Sequence, residues 1–100
     1  MIGFNSNNNS KDLDKPNWSL LDFDFVSDCV DVLTFGANKY GEYSWQTMDN
    51  PVDTYFAALM RHIIEWRNGN HTDTDTGKSH LAHVFCNLMF LNYFDNEDKE

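Results

Sequence analysis

Residues 55–87, YFAALMRHIIEWRNGNHTDTDTGKSHLAHVFCN, leave this chain few folds to choose from. Two apolar segments with helical spacing flank a polar loop. Each carries ionisable side chains three apart, His62 with Glu65 and His80 with His83. Positions i and i+3 project from one face of an α-helix. An antiparallel hairpin closed by the loop therefore turns all four toward one another, with Asp73, Asp75 and Arg61 close by. That collection suits a divalent metal, a phosphate, or both.

The rest of the chain reads as support for this hairpin or as tail. Residues 1–14 are polar and Asn-rich without periodicity, which predicts a flexible N-terminal tail. Pro16 enforces an extended entry into the ordered part. From Asp24 to about Asn38 the pattern is helical, with Phe25 or Val26, Cys29, Val30, Leu33 and Ala37 on one stripe and Asp22 or Asp24 as cap. The segment Gly36–Trp45 is rich in Gly and aromatic residues and has no long period. It reads either as a loop whose Tyr40, Tyr43 and Trp45 plug the core edge, or as one wall of a pocket in which Lys39 and a ring meet a ligand.

Asn50-Pro51-Val52-Asp53 is a helix start, with Asn as N-cap, Pro at the first helical position and an acid in the first turn. Its apolar stripe is Val52, Phe56, Leu59, Met60 and Ile63, beside a second stripe of Tyr55, Ala58, His62 and Glu65. Arg67-Asn68-Gly69 ends it. The last helix is predicted from Ser79 to about Phe94 and is apolar nearly all round, so it should be the most buried. Its polar positions His80, His83 and Asn87 fall on a single line. The fold expected is all-α, a small bundle of three to four helices around the central hairpin. One domain spans 15–95 and a charged tail 96–100.

A formal net charge of -9 argues against a general nucleic-acid surface, which needs a basic stripe. No apolar run approaches the roughly 20 residues of a membrane span. Cys29 and Cys86 lie in apolar helical patterns, which suits buried thiols in a reducing, cytoplasmic setting. Both lie in apolar stripes, and no Ser sits in a nucleophile elbow, so nucleophilic catalysis is not expected. Phosphate-binding glycine loops, dinucleotide fingerprints and zinc-finger spacings are also missing.

Two chemistries remain. His nitrogen and carboxylate oxygen suit Mn²⁺, Zn²⁺, Fe²⁺ or Co²⁺, whereas carboxylates alone suit Mg²⁺. The expected metal ligands are His62, Glu65, His80 and His83, with Asp73 or Asp75 available from the loop. The second chemistry is anion binding. Lys15, Lys39 and Arg61 supply positive charge, and Ser79 with the first turn of the last helix offers a phosphate site beside His80. Asn87 extends the same line, and Tyr40 or Trp45 can stack on a base.

Taken together, Lys15-Pro16, the run Leu33–Gly41, Trp45, Tyr55, Ala58-Leu59, Arg61-His62, Trp66, the loop Asp73–Gly77 and His80-Leu81-Ala82-His83 resemble a phage and bacterial family, the dATP/dGTP diphosphohydrolase N-terminal family. The resemblance covers roughly residues 15–94. It implies cleavage of a deoxypurine triphosphate to dNMP and pyrophosphate with a divalent metal, Mn²⁺ or Mg²⁺, inside a host cell. Related all-α pyrophosphohydrolases hold Mg²⁺ with ExxE followed by ExxD on paired helices. Here the layout is HxxE and HxxH, one carboxylate where four are expected. One Glu and three His cannot neutralise two hard cations in the same way.

Two readings follow. In the enzyme, water activated by metal or by Glu65, with His83 alongside, attacks a phosphorus while Arg61 and Lys39 clamp the phosphates. In the alternative, the same pocket only sequesters a nucleotide-type signal, a cyclic nucleotide or an ADP-ribose derivative, as an anti-defence sponge. A ligand-free helical scaffold is a third, blander reading. An all-apolar last helix in so small a chain also predicts a homo-oligomer.

Overall fold

Capping chemistry sets most of the helix boundaries in this protein. The computed structural model describes residues 14–98. In it α1 runs over Phe23–Tyr40, α2 over Pro51–Arg67 and α3 over His80–Asp98. Short 3₁₀ turns at Trp18–Leu20 and Ser44–Thr47 precede α1 and α2. No strand occurs among the described residues, only an isolated antiparallel bridge between Thr72 and Ser79. The fold is all-α, with α2 and α3 as the central hairpin. The tail expected over residues 1–14 lies outside the described residues except for Asp14.

Asp22 caps α1, its side chain accepting the Asp24 N–H at 3.1 Å. Asn50 starts α2 by a different means from the one expected. It makes no side-chain cap and instead adopts a left-handed backbone, φ 49°, which Asn tolerates better than most residues. The other end of α2 closes as predicted on Gly69, at φ 101°. The Asn70 N–H reaches the Glu65 carbonyl at 3.0 Å and the Gly69 N–H reaches that of Trp66 at 3.1 Å, which makes a Schellman closure. Helix α3 outruns its predicted end by four residues, so the charged segment 95–98 continues the helix.

α3 packs against both other helices and holds the core. Cys29 and Val32 of α1 meet Ala82 and Cys86 of α3, with Phe25, Leu33 and Phe90 around them. The two thiols are buried and free, and desolvation pushes the Cys86 thiol up to about 12. Val32 takes the inward place expected for Val30, which is exposed.

The larger correction concerns α2. Its strongest apolar stripe faces the core only in part. Val52, Phe56 and Met60 are exposed, and so is Ile64 beside them, whereas Leu59 and Ile63 are half-buried. The inward face is the neighbouring one, where Tyr55 is buried and Ala58, His62 and Glu65 are half-buried. α3 is likewise not covered all round, since Phe85 and Leu88 are exposed. Its buried face carries the polar line, with His80 and Asn87 each 7% exposed.

Candidate functional site

At the loop end of the hairpin, helical spacing does bring the imidazoles together. His62 from α2 and His80 from α3 meet through their Nδ1 atoms at 2.8 Å. His62 also stacks on His83, with ring centroids 4.4 Å apart and planes 17° from parallel. One proton at most lies between the two Nδ1 atoms, so one ring donates and the other accepts.

Loop 70–79 completes the group. It closes tightly on itself, with the Asp73 N–H donating to Lys78 O and the Gly77 N–H to Asp73 O, both at 2.8 Å. Gly77 adopts φ 72°, a left-handed turn position that favours glycine. The turn aims Asp73 inward. Its Oδ2 accepts the Thr76 N–H at 3.0 Å and the Thr76 hydroxyl at 3.1 Å. The same hydroxyl oxygen lies 2.9 Å from His83 Nε2 and accepts the Lys78 N–H at 3.2 Å. Since Thr76 gives its hydrogen to Asp73, His83 Nε2 must be the donor to Thr76. His83 Nε2 is also 3.4 Å from Asp73 Oδ2.

These contacts set the charges. Burial pushes the His62 imidazole down to about 4, aided by the fields of His83, His80 and Arg61 and opposed by Asp73. Burial also holds His83 below its ordinary value, against the attraction of Asp73. Burial works to raise Asp73, but the Thr76 hydrogen bonds and His83 outweigh it, and the carboxyl sits below its usual range. At neutral pH the site therefore combines neutral rings at His62 and His83 with one anionic carboxylate.

His62, Asp73 and His80 offer ligand atoms that all lie within 4.8 Å of one another. Three expected ligands fall outside that trio. Asp75 sits on the exposed side of the turn and acts on His83 only through its field. Glu65 accepts the Asn70 side-chain amide at 2.6 Å. His83 spends its Nε2 on Thr76. The donor set fits one borderline cation and lacks the oxygens that a pair of Mg²⁺ ions demands.

The cluster opens into a cavity of about 1290 Å³ shared by α1, the 41–49 segment, α2 and α3. Lys39, Tyr40, Trp45, Arg61, Glu65, Asp75 and Asn87 line it along with the imidazoles. Lys39 Nζ stands 5.2 Å from the Tyr40 ring, so a cation and an exposed aromatic do stand side by side. Trp45 is differently engaged, one face stacked on Phe90 at 4.7 Å and Tyr93 against its edge. It thus plugs the core edge, the first of its two expected roles, while also lining the cavity. Asn87 donates to the His83 carbonyl at 2.9 Å and holds the α3 line together.

Two expected anion ligands are not in the cavity. Lys15 is exposed and does not line it. Ser79 caps α3, its hydroxyl oxygen accepting the Leu81 N–H at 3.0 Å. Thr76 is the residue that reading the sequence missed. Its signal was present in the spacing Asp73-x-x-Thr76-Gly77, a turn in which the first side chain accepts from the fourth residue. Lys78 ties the same loop to α1 by ion pairs to Asp31 at 3.1 Å and Asp28 at 3.5 Å.

Comparison with known proteins places the chain in a family. Residues 5–100 match the family described as dATP/dGTP diphosphohydrolase, N-terminal. A curated protein of Salmonella phage PMBT28, described as dATP/dGTP diphosphohydrolase, is 36% identical over 73 residues. That match takes in 73% of this chain and 24% of the phage protein, so the chain spans about a quarter of that relative's length. No solved structure matches.

Proposed function

The chain belongs to the dATP/dGTP diphosphohydrolase N-terminal family, and on that premise we propose that its cavity binds a purine deoxynucleoside triphosphate and serves its hydrolysis to dNMP and pyrophosphate. One observation carries the reading. A carboxylate and three imidazoles form the floor of a cavity whose walls present Lys39, Tyr40 and Arg61.

Each group has a part in that chemistry. Lys39 and Arg61 neutralise phosphate oxygens and stabilise the charge that develops on the departing pyrophosphate. Tyr40 offers its exposed ring to the purine. Glu65, held by Asn70, and His83, kept neutral by burial, are the two candidate bases for the attacking water. The base takes the water proton as the new P–O bond forms and the bridging P–O bond to pyrophosphate breaks. A divalent cation held by His62, Asp73 and His80 supplies charge neutralisation on the phosphates.

The test is direct. The pure protein is incubated with dATP or dGTP under Mn²⁺, Mg²⁺ or chelator, then denatured, and both fractions are analysed. New monophosphate and pyrophosphate support hydrolysis. Intact nucleotide released only on denaturation supports the sequestering alternative, which the scarcity of carboxylates favours. Neither product nor retained nucleotide ends both readings. A second copy of the chain also belongs to this proposal, because Val52, Phe56 and Ile64 leave an apolar face of α2 open.

A further inference from the structure

The contact between His62 and His80 is unusual in which atoms it uses. The Nδ1 atoms face each other at 2.8 Å, and His62, His80 and Asp73 each offer a ligand atom within 4.8 Å of the other two. Two imidazole nitrogens this close together are also at the spacing that two ligands keep around a shared ion. With metal–nitrogen bonds of about 2.0–2.1 Å, neighbouring ligands at right angles stand about 2.9 Å apart. A hydrogen bond explains the distance too, but not the third donor, Asp73, held in place beside the pair.

That fixing is thorough. His80 is buried, and its backbone N–H is held by His71 O at 2.8 Å. Asp73 is oriented by two hydrogen bonds from Thr76, which in turn engages His83. Outer partners of this kind orient metal ligands and raise their affinity. Lys78 ties the loop that carries Asp73 and Thr76 to α1. All three donors are thus preorganised by α2, α3 and the loop between them.

We infer that His62 Nδ1, His80 Nδ1 and Asp73 bind a single borderline divalent ion, Mn²⁺, Fe²⁺, Co²⁺ or Zn²⁺, in preference to Mg²⁺, with positions left open toward the cavity. Two imidazoles and one carboxylate are the donor set such ions favour, whereas Mg²⁺ demands oxygen and sheds water reluctantly. Lys39 and Arg61 line the same cavity as the trio, and phosphate oxygens are the fitting guests there. This site deepens the nucleotide reading and takes its biological sense from it, but the ion is measured without nucleotide.

Tag-free protein is titrated with Co²⁺ in the absence of nucleotide and followed by visible absorption. Mn²⁺, Zn²⁺ and Mg²⁺ are then compared by calorimetry. The expected result is one Co²⁺ per chain with nitrogen-ligand bands and Mg²⁺ weaker by at least tenfold. His62→Leu and Asp73→Asn should each weaken Co²⁺ by about tenfold or more, the lower end of what even outer-shell losses cost. Far-UV circular dichroism confirms that these variants are folded. His71→Ala removes a ring that packs on Trp66 and keeps the backbone carbonyl that holds His80, so it leaves binding unchanged. No Co²⁺ bands, two ions per chain, equal Mg²⁺ affinity, or indifference to both substitutions overturns the inference. Hydrolysis with Mg²⁺ alone and no Co²⁺ binding sinks the ion assignment and spares the enzyme reading. Tight Co²⁺ binding without any nucleotide binding does the reverse.

Discussion

At one end of the α2–α3 seam Tyr55 packs on Phe90 at 4.8 Å and on Phe94 at 6.2 Å, while Trp45 stacks against Phe90. At the loop end the same two helices meet through His62, His80 and His83. The aromatic end removes apolar surface from water, about 1.5–3 kcal/mol for each large side chain fully buried. The imidazole end exchanges hydrogen bonds with water for hydrogen bonds within the protein, a net gain of only about 1 kcal/mol each. It also desolvates His62 enough to hold it neutral. A seam built for stability alone has no reason to change chemistry halfway. The stability of the hairpin belongs to the aromatic end, and the site proposed for nucleotide and metal to the other.

Four changes sharpen or break this contrast. Phe90→Ala should give the largest stability effect, a loss of about 3 kcal/mol in urea unfolding, because its ring touches both Trp45 and Tyr55. The double substitution His62→Leu with His80→Leu removes both partners of one hydrogen bond and replaces them with carbon. Stability should then stay within about 1 kcal/mol of the parent, while nucleotide turnover or retention falls at least 100-fold. Equal destabilisation by these two variants destroys the contrast.

A smaller effect comes from pH. In chelator, His62 titrates near 4 when folded, against an ordinary value near 6.5 when unfolded. Between those values the unfolded chain binds the proton more readily. Stability is therefore full above about pH 6.5 and declines as pH falls toward 4. His83, also depressed, adds in the same direction. Thermal melts at pH 7 and pH 5 should show the drop, and the double Leu variant should show less of it. The smallest change is Lys78→Met, which cuts an exposed tether to Asp28 and Asp31. A slight fall in Tm, abolished by raising the salt, is the expected outcome.

Helix positions and the meeting of imidazoles were legible in the sequence because periodicity and end signals act locally. Gly69 at the end of α2 and the line of His80, His83 and Asn87 are examples. Periodicity could not say which of two adjacent apolar stripes on α2 faces inward. Tyr55 prevails over Phe56 because its ring fits between Phe90 and Phe94 and its hydroxyl donates to the Trp45 carbonyl at 2.8 Å. Nor could spacing choose between Asp73 and Asp75. That choice belongs to the turn, where Thr76 donates twice to Asp73 and leaves Asp75 outside. Spacing also could not show that the Ser79 hydroxyl caps its own helix, accepting the Leu81 N–H.

Pulsed electron paramagnetic resonance on protein loaded with one equivalent of Mn²⁺ reads the nuclei around the ion and so tests the centre itself. The account predicts nitrogen modulation from directly bound imidazole, its reduction in His62→Leu, and a phosphorus coupling that appears when a non-hydrolysable dGTP analogue is added. An ion that sees only oxygen and water, or that couples to phosphorus without any nitrogen, contradicts it.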